Sequence, residues 1–97
     1  MSHTYLFVRQ DLSAPQQIVQ AAHAMGHASE IFGSHCNLVL CRCPDHDGLA
    51  KVKSYLDQRG VEHHMFWEPD IAEYTAIATR PLSGDDRRAM RRFQLVK

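Results

Sequence analysis

The spacing of apolar residues divides the chain into segments of two kinds, short β-prone runs and longer stretches of helical period. Residues 4–9, Thr-Tyr-Leu-Phe-Val-Arg, are β-prone without clean alternation, as in a strand covered on both faces. Ser13 then stands ready to cap a helix, with Pro15 in the first turn and Gln16 completing a Ser-x-x-Gln capping box. From there to about residue 32, Ile18, Ala21, Ala22, Met25, Ser29 and Phe32 recur three and four positions apart and predict a core-facing stripe. The opposite side of that helix carries Gln16, Gln20, His23, His27 and Glu30, a polar stripe expected to face solvent.

Residues 37–42, Asn-Leu-Val-Leu-Cys-Arg, predict a second buried strand, and Asp45 is placed to cap a helix over 46–59. That helix has Leu49, Val52 and Leu56 as its stripe, and Gly60 stands where a left-handed terminating residue belongs. Strands follow over 61–67 and 74–79; the connection 68–73 is too short for a crossover, so these two should be antiparallel. Gly84-Asp85-Asp86 opens a short helix with acids at its start and Arg91 and Arg92 at its end, complementing its dipole. Residues 93–97 suit an edge strand or a docked tail. The expected fold is α/β, a three-layer sandwich with a four-stranded mixed sheet and helices on both faces, formed by residues 1–97 as one domain.

Charge narrows the partners. Eleven basic residues balance eleven acidic ones, so the chain as a whole has no cationic field for DNA or an anionic membrane, and affinity for RNA must come from local clusters. The apolar runs are far shorter than a membrane span, and the start Met-Ser-His-Thr lacks the parts of a signal peptide. With three cysteines, Cys36, Cys41 and Cys43, an odd number suited to free thiols, a cytoplasmic location is expected.

Three constellations bear on chemistry. His23 and His27 have the spacing of a helical zinc pair, but Ala-Met-Gly lies between them and no third ligand has a recognisable spacing, so neither metal nor other cofactor is expected. Arg87, Arg88, Arg91 and Arg92 place two pairs on one helix face, a patch for phosphates or a solvated surface. The helix-one stripe is the sharper feature: its first four members are amides and imidazoles where lysine and glutamate usually stand, groups suited to orienting a water or an ester. A polar subunit contact is the alternative, and Gln16 itself has the position of a capping residue.

Taken in order, Val8-Arg9-Gln10-Asp11-Leu12, Gln20-Ala21-Ala22-His23-Ala24, the acidic Asp70 after strand three, and Thr75-Ala76-Ile77-Ala78 leading to Pro81 resemble the type II peptidyl-tRNA hydrolases. The resemblance spans nearly the whole chain. It implies a homodimer without cofactor that cleaves the ester joining a peptide to tRNA. By position it assigns Gln20 as the helix amide, Asp70 as the carboxylate, Thr75 as the strand hydroxyl, and His23 as a neighbour of the site. Gln16 occupies the place of a lysine in that family, and a further threonine expected between the carboxylate and Thr75 has no counterpart. In a hydrolase, Asp70 would act on water, Gln20 and Thr75 would hold the carbonyl, and Arg9 with the arginine cluster would hold RNA. A non-catalytic dimeric relative binding RNA or a protein partner, and a small-molecule or metal-binding domain, are the competing readings.

Overall fold

The computed structural model describes residues 2–33 and 37–93. In chain order they form β1 (His3–Arg9), α1 (Ala14–Phe32), β2 (Asn37–Cys43), α2 (His46–Gln58), β3 (His63–Glu68), β4 (Glu73–Thr79), α3 (Gly84–Ala89) and a 3-10 turn over Met90–Arg92. The sheet order is β2-β1-β4-β3. Strand β1 pairs parallel with β2, and β4 pairs antiparallel with both β1 and β3. Consequently β1, β2 and β3 all end at one edge of the sheet, where β4 begins. In such sheets the carboxyl edge of the parallel strands is where ligands are usually held.

Local chemistry starts and stops the helices as the sequence predicts, except that Gln16 Oε1 accepts from Gln20 Nε2 instead of closing the capping box on Ser13. Ser13 Oγ accepts the Gln16 N–H at 3.3 Å and Asp45 Oδ1 accepts that of Gly48 at 2.9 Å, each satisfying an orphan donor of the first turn. Gly60, at φ 69°, takes the left-handed conformation that lets the chain leave α2. Alternation along β1 then supplies both layers. Leu6 and Val8 pack with Ala24 and Ala28 of α1, whereas Tyr5 and Phe7 pack with Leu49, Val52 and Leu56 of α2 and with Met90.

Two expectations differ from the structure. Helix α1 is turned so that Gln20, Ala24 and Ala28 face the sheet, while Ile18 is 72% exposed and Ala22 is also exposed. Alanine on both sides of this contact explains it: Ala24 and Ala28 meet Ala76 and Ala78 of β4, and small side chains let helix and sheet approach closely. Strand β2 is an edge strand rather than a buried one. Because α1 lies over β1, β4 and β3, the β2 side chains Leu38 and Leu40 on that face stay exposed. Phe66 is buried beneath α1, leaving Trp67 and Tyr74 exposed as an edge-to-face pair 4.9 Å apart.

One irregularity sits inside β4. Phe66 pairs with Ala76 and Trp67 with Tyr74, so Thr75 is an extra residue with no partner across the ladder. This is a β-bulge, which re-aims a side chain where strict alternation would not. Of the sequence features, the 94–97 end and His35-Cys36 lie outside the described residues. The two described cysteines, Cys41 and Cys43, are buried thiols, pushed up by burial to about 11 and about 12. Thiols so held are un-ionised near neutrality and inert as nucleophiles. Among the described residues no group of three or more His, Cys, Asp or Glu is placed to hold a metal, and no helix is long and apolar enough to cross a membrane.

Candidate functional site at the carboxyl edge of the sheet

Four side chains from three elements meet where β3 ends. Gln20 enters from α1 and is 1% exposed, a position affordable for an amide only when its polar atoms are bonded. Its Nε2 donates to Glu68 Oε2 at 2.9 Å and to Gln16 Oε1 at 3.2 Å, and its Oε1 accepts from Thr75 Oγ1 at 2.8 Å. The network fixes the amide's orientation. A carboxylate can only accept, so the amide nitrogen must face Glu68, and the oxygen that remains makes Thr75 the donor. The bulge at Thr75 is what delivers this hydroxyl to the α1 side of the sheet.

Glu68, 8% exposed, is the carboxylate of this cluster. Besides Gln20 it accepts the backbone N–H of Asp70 at 3.2 Å through Oε1. The Gln20 bond first and the Asp70 N–H second hold its carboxyl below the usual range, with the nearby His23 adding to the effect. It is therefore ionised at neutral pH. Asp70, which the sequence comparison of motifs put in this role, has its side chain exposed and contributes only that backbone donor. Strand alternation could have identified Glu68: it follows Phe66 by two residues and so shares its face.

From Glu68 a groove runs along α1, lined among others by His23, Gly26, His27, Trp67 and Pro69. His23 and His27 set their rings 5.2 and 5.1 Å from that of Phe66, forming one wall. His27 also stacks on His64, with Nδ1 and Nε2 3.3 Å apart. The polar stripe read from the sequence is thus divided. Gln20 lies inside, His23, His27 and Glu30 line the groove, and Gln16 is exposed one turn before Gln20.

Arg9 forms a separate cluster at the same edge. Its Nε and Nη2 grip Asp11 at 3.0 and 2.7 Å, and Nη1 reaches Glu73 Oε1 at 3.1 Å and the Tyr74 carbonyl at 3.0 Å. At 5% exposure with four such bonds, it ties β1 to the start of β4. Asp11 first, and then Glu73, raise its pKa beyond its ordinary value. None of these bonds reaches Gln20, Glu68 or Thr75.

The arginine cluster is farther still. The helix that begins at Gly84 gives way to a 3-10 turn at Met90, so the four arginines do not continue on one α-helical face. Met90 packs into the α2-side core, which puts these residues on the layer opposite α1. Arg92 stacks on the Tyr55 ring at 4.5 Å and Arg88 pairs with Asp85 at 2.9 Å. The structure therefore brings together Gln16, Gln20, His23, Thr75 and the unforeseen Glu68, and it separates them from Arg9 and from Arg87, Arg88, Arg91 and Arg92.

No family model matches the chain, and no curated protein matches it. Among solved structures, a protein of unknown function from Agrobacterium tumefaciens is similar over 99% of this chain and 98% of its own, with a TM-score of 0.75 at 13% identity. At that identity the likeness concerns the fold alone.

Proposed function

We propose that the chain is a cytoplasmic ester hydrolase of the peptidyl-tRNA hydrolase kind, with Glu68 rather than Asp70 as the carboxylate acting on water. The observation that carries this reading is an ionised Glu68, braced by Gln20 and Thr75 at the mouth of the groove. In the proposed step Glu68 takes a proton from water as the water oxygen attacks the ester carbonyl carbon. The carbon–oxygen bond to the ribose then breaks, and the proton passes to the departing ribose oxygen. Gln20 and Thr75 are positioning residues here, because their bonding atoms are already engaged with each other and with Glu68. Gln16, whose Oε1 is bound to Gln20, offers its amide N–H groups to the developing oxyanion where the family has a lysine.

Two features of this arrangement make the proposed reaction slow. A carboxyl held below its usual range is a weak base. A neutral amide in place of a cation forgoes electrostatic stabilisation worth on the order of a hundredfold in rate. The separate position of the arginine cluster also removes it from the acyl end of a tRNA.

Turnover of one defined peptidyl-tRNA tests the reading, with circular dichroism as the folding control. Slow release of peptide by the wild type is expected, with Glu68→Gln at least about tenfold slower and Asp70→Asn close to wild type. Gln16→Lys should be faster. Uniform inactivity of wild type and Gln16→Lys, both folded, refutes hydrolysis. The reading that then takes its place is a dimeric relative that binds RNA or a protein partner. Its support is the internal use of both Gln20 amide hydrogens and of the Thr75 hydroxyl hydrogen, which suits a locked scaffold.

A further inference from the structure

On the layer opposite the Glu68 groove, a recessed cavity is lined by Tyr5, Ser83, Gly84, Arg87, Arg88 and Arg91. Three arginines and two hydroxyl-bearing residues line it, and among the described residues no acidic one does. Of the two acids of α3, one pairs away from the cavity and the other with its Arg88. Asp86 pairs with Arg80 at 2.9 Å, and Asp85 pairs with Arg88 through side chains that are 89% and 70% exposed, a contact of little energy. Arg87 and Arg91 have no ion pair among the described residues.

The hydroxyls are the more specific feature. Tyr5 is 7% exposed as a residue, lines the cavity, and among the described residues keeps an unbonded phenolic oxygen with access to solvent. Ser83 occupies the N-cap position of α3 without making a side-chain capping bond. A hydroxyl donor that opens unbonded onto a cavity rimmed by arginine is complementary to an oxyanion. Arginine forks suit phosphate oxygens, and hydroxyl donors complete such a site.

We propose that this cavity binds a terminal phosphate group. Only a small part of Tyr5 is exposed to the cavity, which favours a ligand that enters end-on. A phosphate monoester does so, whereas a phosphodiester within a chain is flanked by a sugar on each side. Tyr5 and Ser83 donate their O–H groups to the phosphate, and Arg87 and Arg91 donate N–H groups from the rim. The site is on the other face of the sheet from Glu68, so it stands or falls independently of ester hydrolysis.

Calorimetric titration of the full chain at constant ionic strength provides the test. The probes are inorganic phosphate, a nucleoside 5′-monophosphate, and one short oligoribonucleotide with and without a 5′-phosphate. Saturable one-to-one binding of phosphate is expected, weakened about tenfold or more in Tyr5→Phe by loss of one hydrogen bond to a charged group, and abolished in Arg87→Gln/Arg91→Gln. Melting followed by circular dichroism verifies that both variants fold. Among the probes, a 5′-phosphorylated oligomer binding at least about tenfold tighter than the mononucleotide assigns the site to RNA ends; equal affinity assigns it to small phosphate monoesters. The proposal is overturned if phosphate shows no saturable binding, if Tyr5→Phe binds like the wild type, or if the 5′-hydroxyl oligomer binds as well as the phosphorylated one.

Discussion

Thr75→Val isolates the bond that sets the orientation of the Gln20 amide. The substitution nearly preserves shape and removes only the hydroxyl that donates to Gln20 Oε1 at 2.8 Å. Thr75 is fully buried and Gln20 is 1% exposed, so the abandoned carbonyl oxygen has no path to bulk water. Leaving a buried acceptor unsatisfied costs about 1–3 kcal/mol. For a domain of this size that lowers the melting temperature by about 4–20 °C. Urea denaturation of wild type, Thr75→Val and Thr75→Ser measures it, with the serine variant expected to keep most of the stability. Adding Gln20→Met to Thr75→Val removes both partners while leaving Glu68 its Asp70 donor. The double variant should therefore lose less than the sum of the single losses, by about 0.5–3 kcal/mol. A loss below about 0.5 kcal/mol for Thr75→Val would mean that water reaches the amide, and the braced carboxylate would no longer be a sound description.

Three further outcomes follow from other contacts. His64 has its pKa lowered, by burial first and then by His27 and His63, so the unfolded chain binds a proton that the native state resists; stability should fall as pH drops from the ordinary histidine value of about 6.5 toward the lowered one, and His64→Gln should flatten that slope in urea midpoints taken at several pH values. Arg9→Met should cost about 2 kcal/mol by chemical denaturation, because Asp11 and Glu73 lose their shared cation, and Arg9→Lys should recover only part since an ammonium cannot reproduce the fork. We expect a homodimer by sedimentation at micromolar concentration, since Leu38 and Leu40 on the open β2 edge, and the Trp67–Tyr74 pair, are apolar surface that a second copy would cover; a single-chain mass would refute it.

The parts of the fold set by neighbours in sequence were legible before the structure. Ser13 and Asp45 as caps, Gly60 as a terminator and the short β3–β4 connection depend on residues a few positions apart, and each acts as read. What misled was the strength of the apolar signal. Ile18 outweighs Ala24 and Ala28 on any hydrophobicity scale, yet alanine is what permits close packing on Ala76 and Ala78. Gln20 looks like a surface residue because its partners, Glu68 and Thr75, lie 48 and 55 residues away. Similarly, the run Leu38-Val39-Leu40-Cys41 reads as interior although α1 covers the neighbouring strands instead. The arginine cluster was visible as a cluster, but its layer was decided by Met90, whose burial depends on the whole α2 side.

The extra residue at Thr75 also changes what the β3–β4 connection is free to do. Side chains on a strand follow an even–odd count, and a gain or loss of one residue ordinarily inverts everything beyond it. Here the count is already reset once, between Tyr74 and Ala76, and the residues beyond the reset are the ones that fill both layers of the core. Insertions among residues 69–72 would be absorbed before that point, held by Arg9 on the Tyr74 carbonyl. The loop beside Glu68 can thus lengthen, and admit larger ligands, while Ala76, Ile77 and Ala78 keep their places.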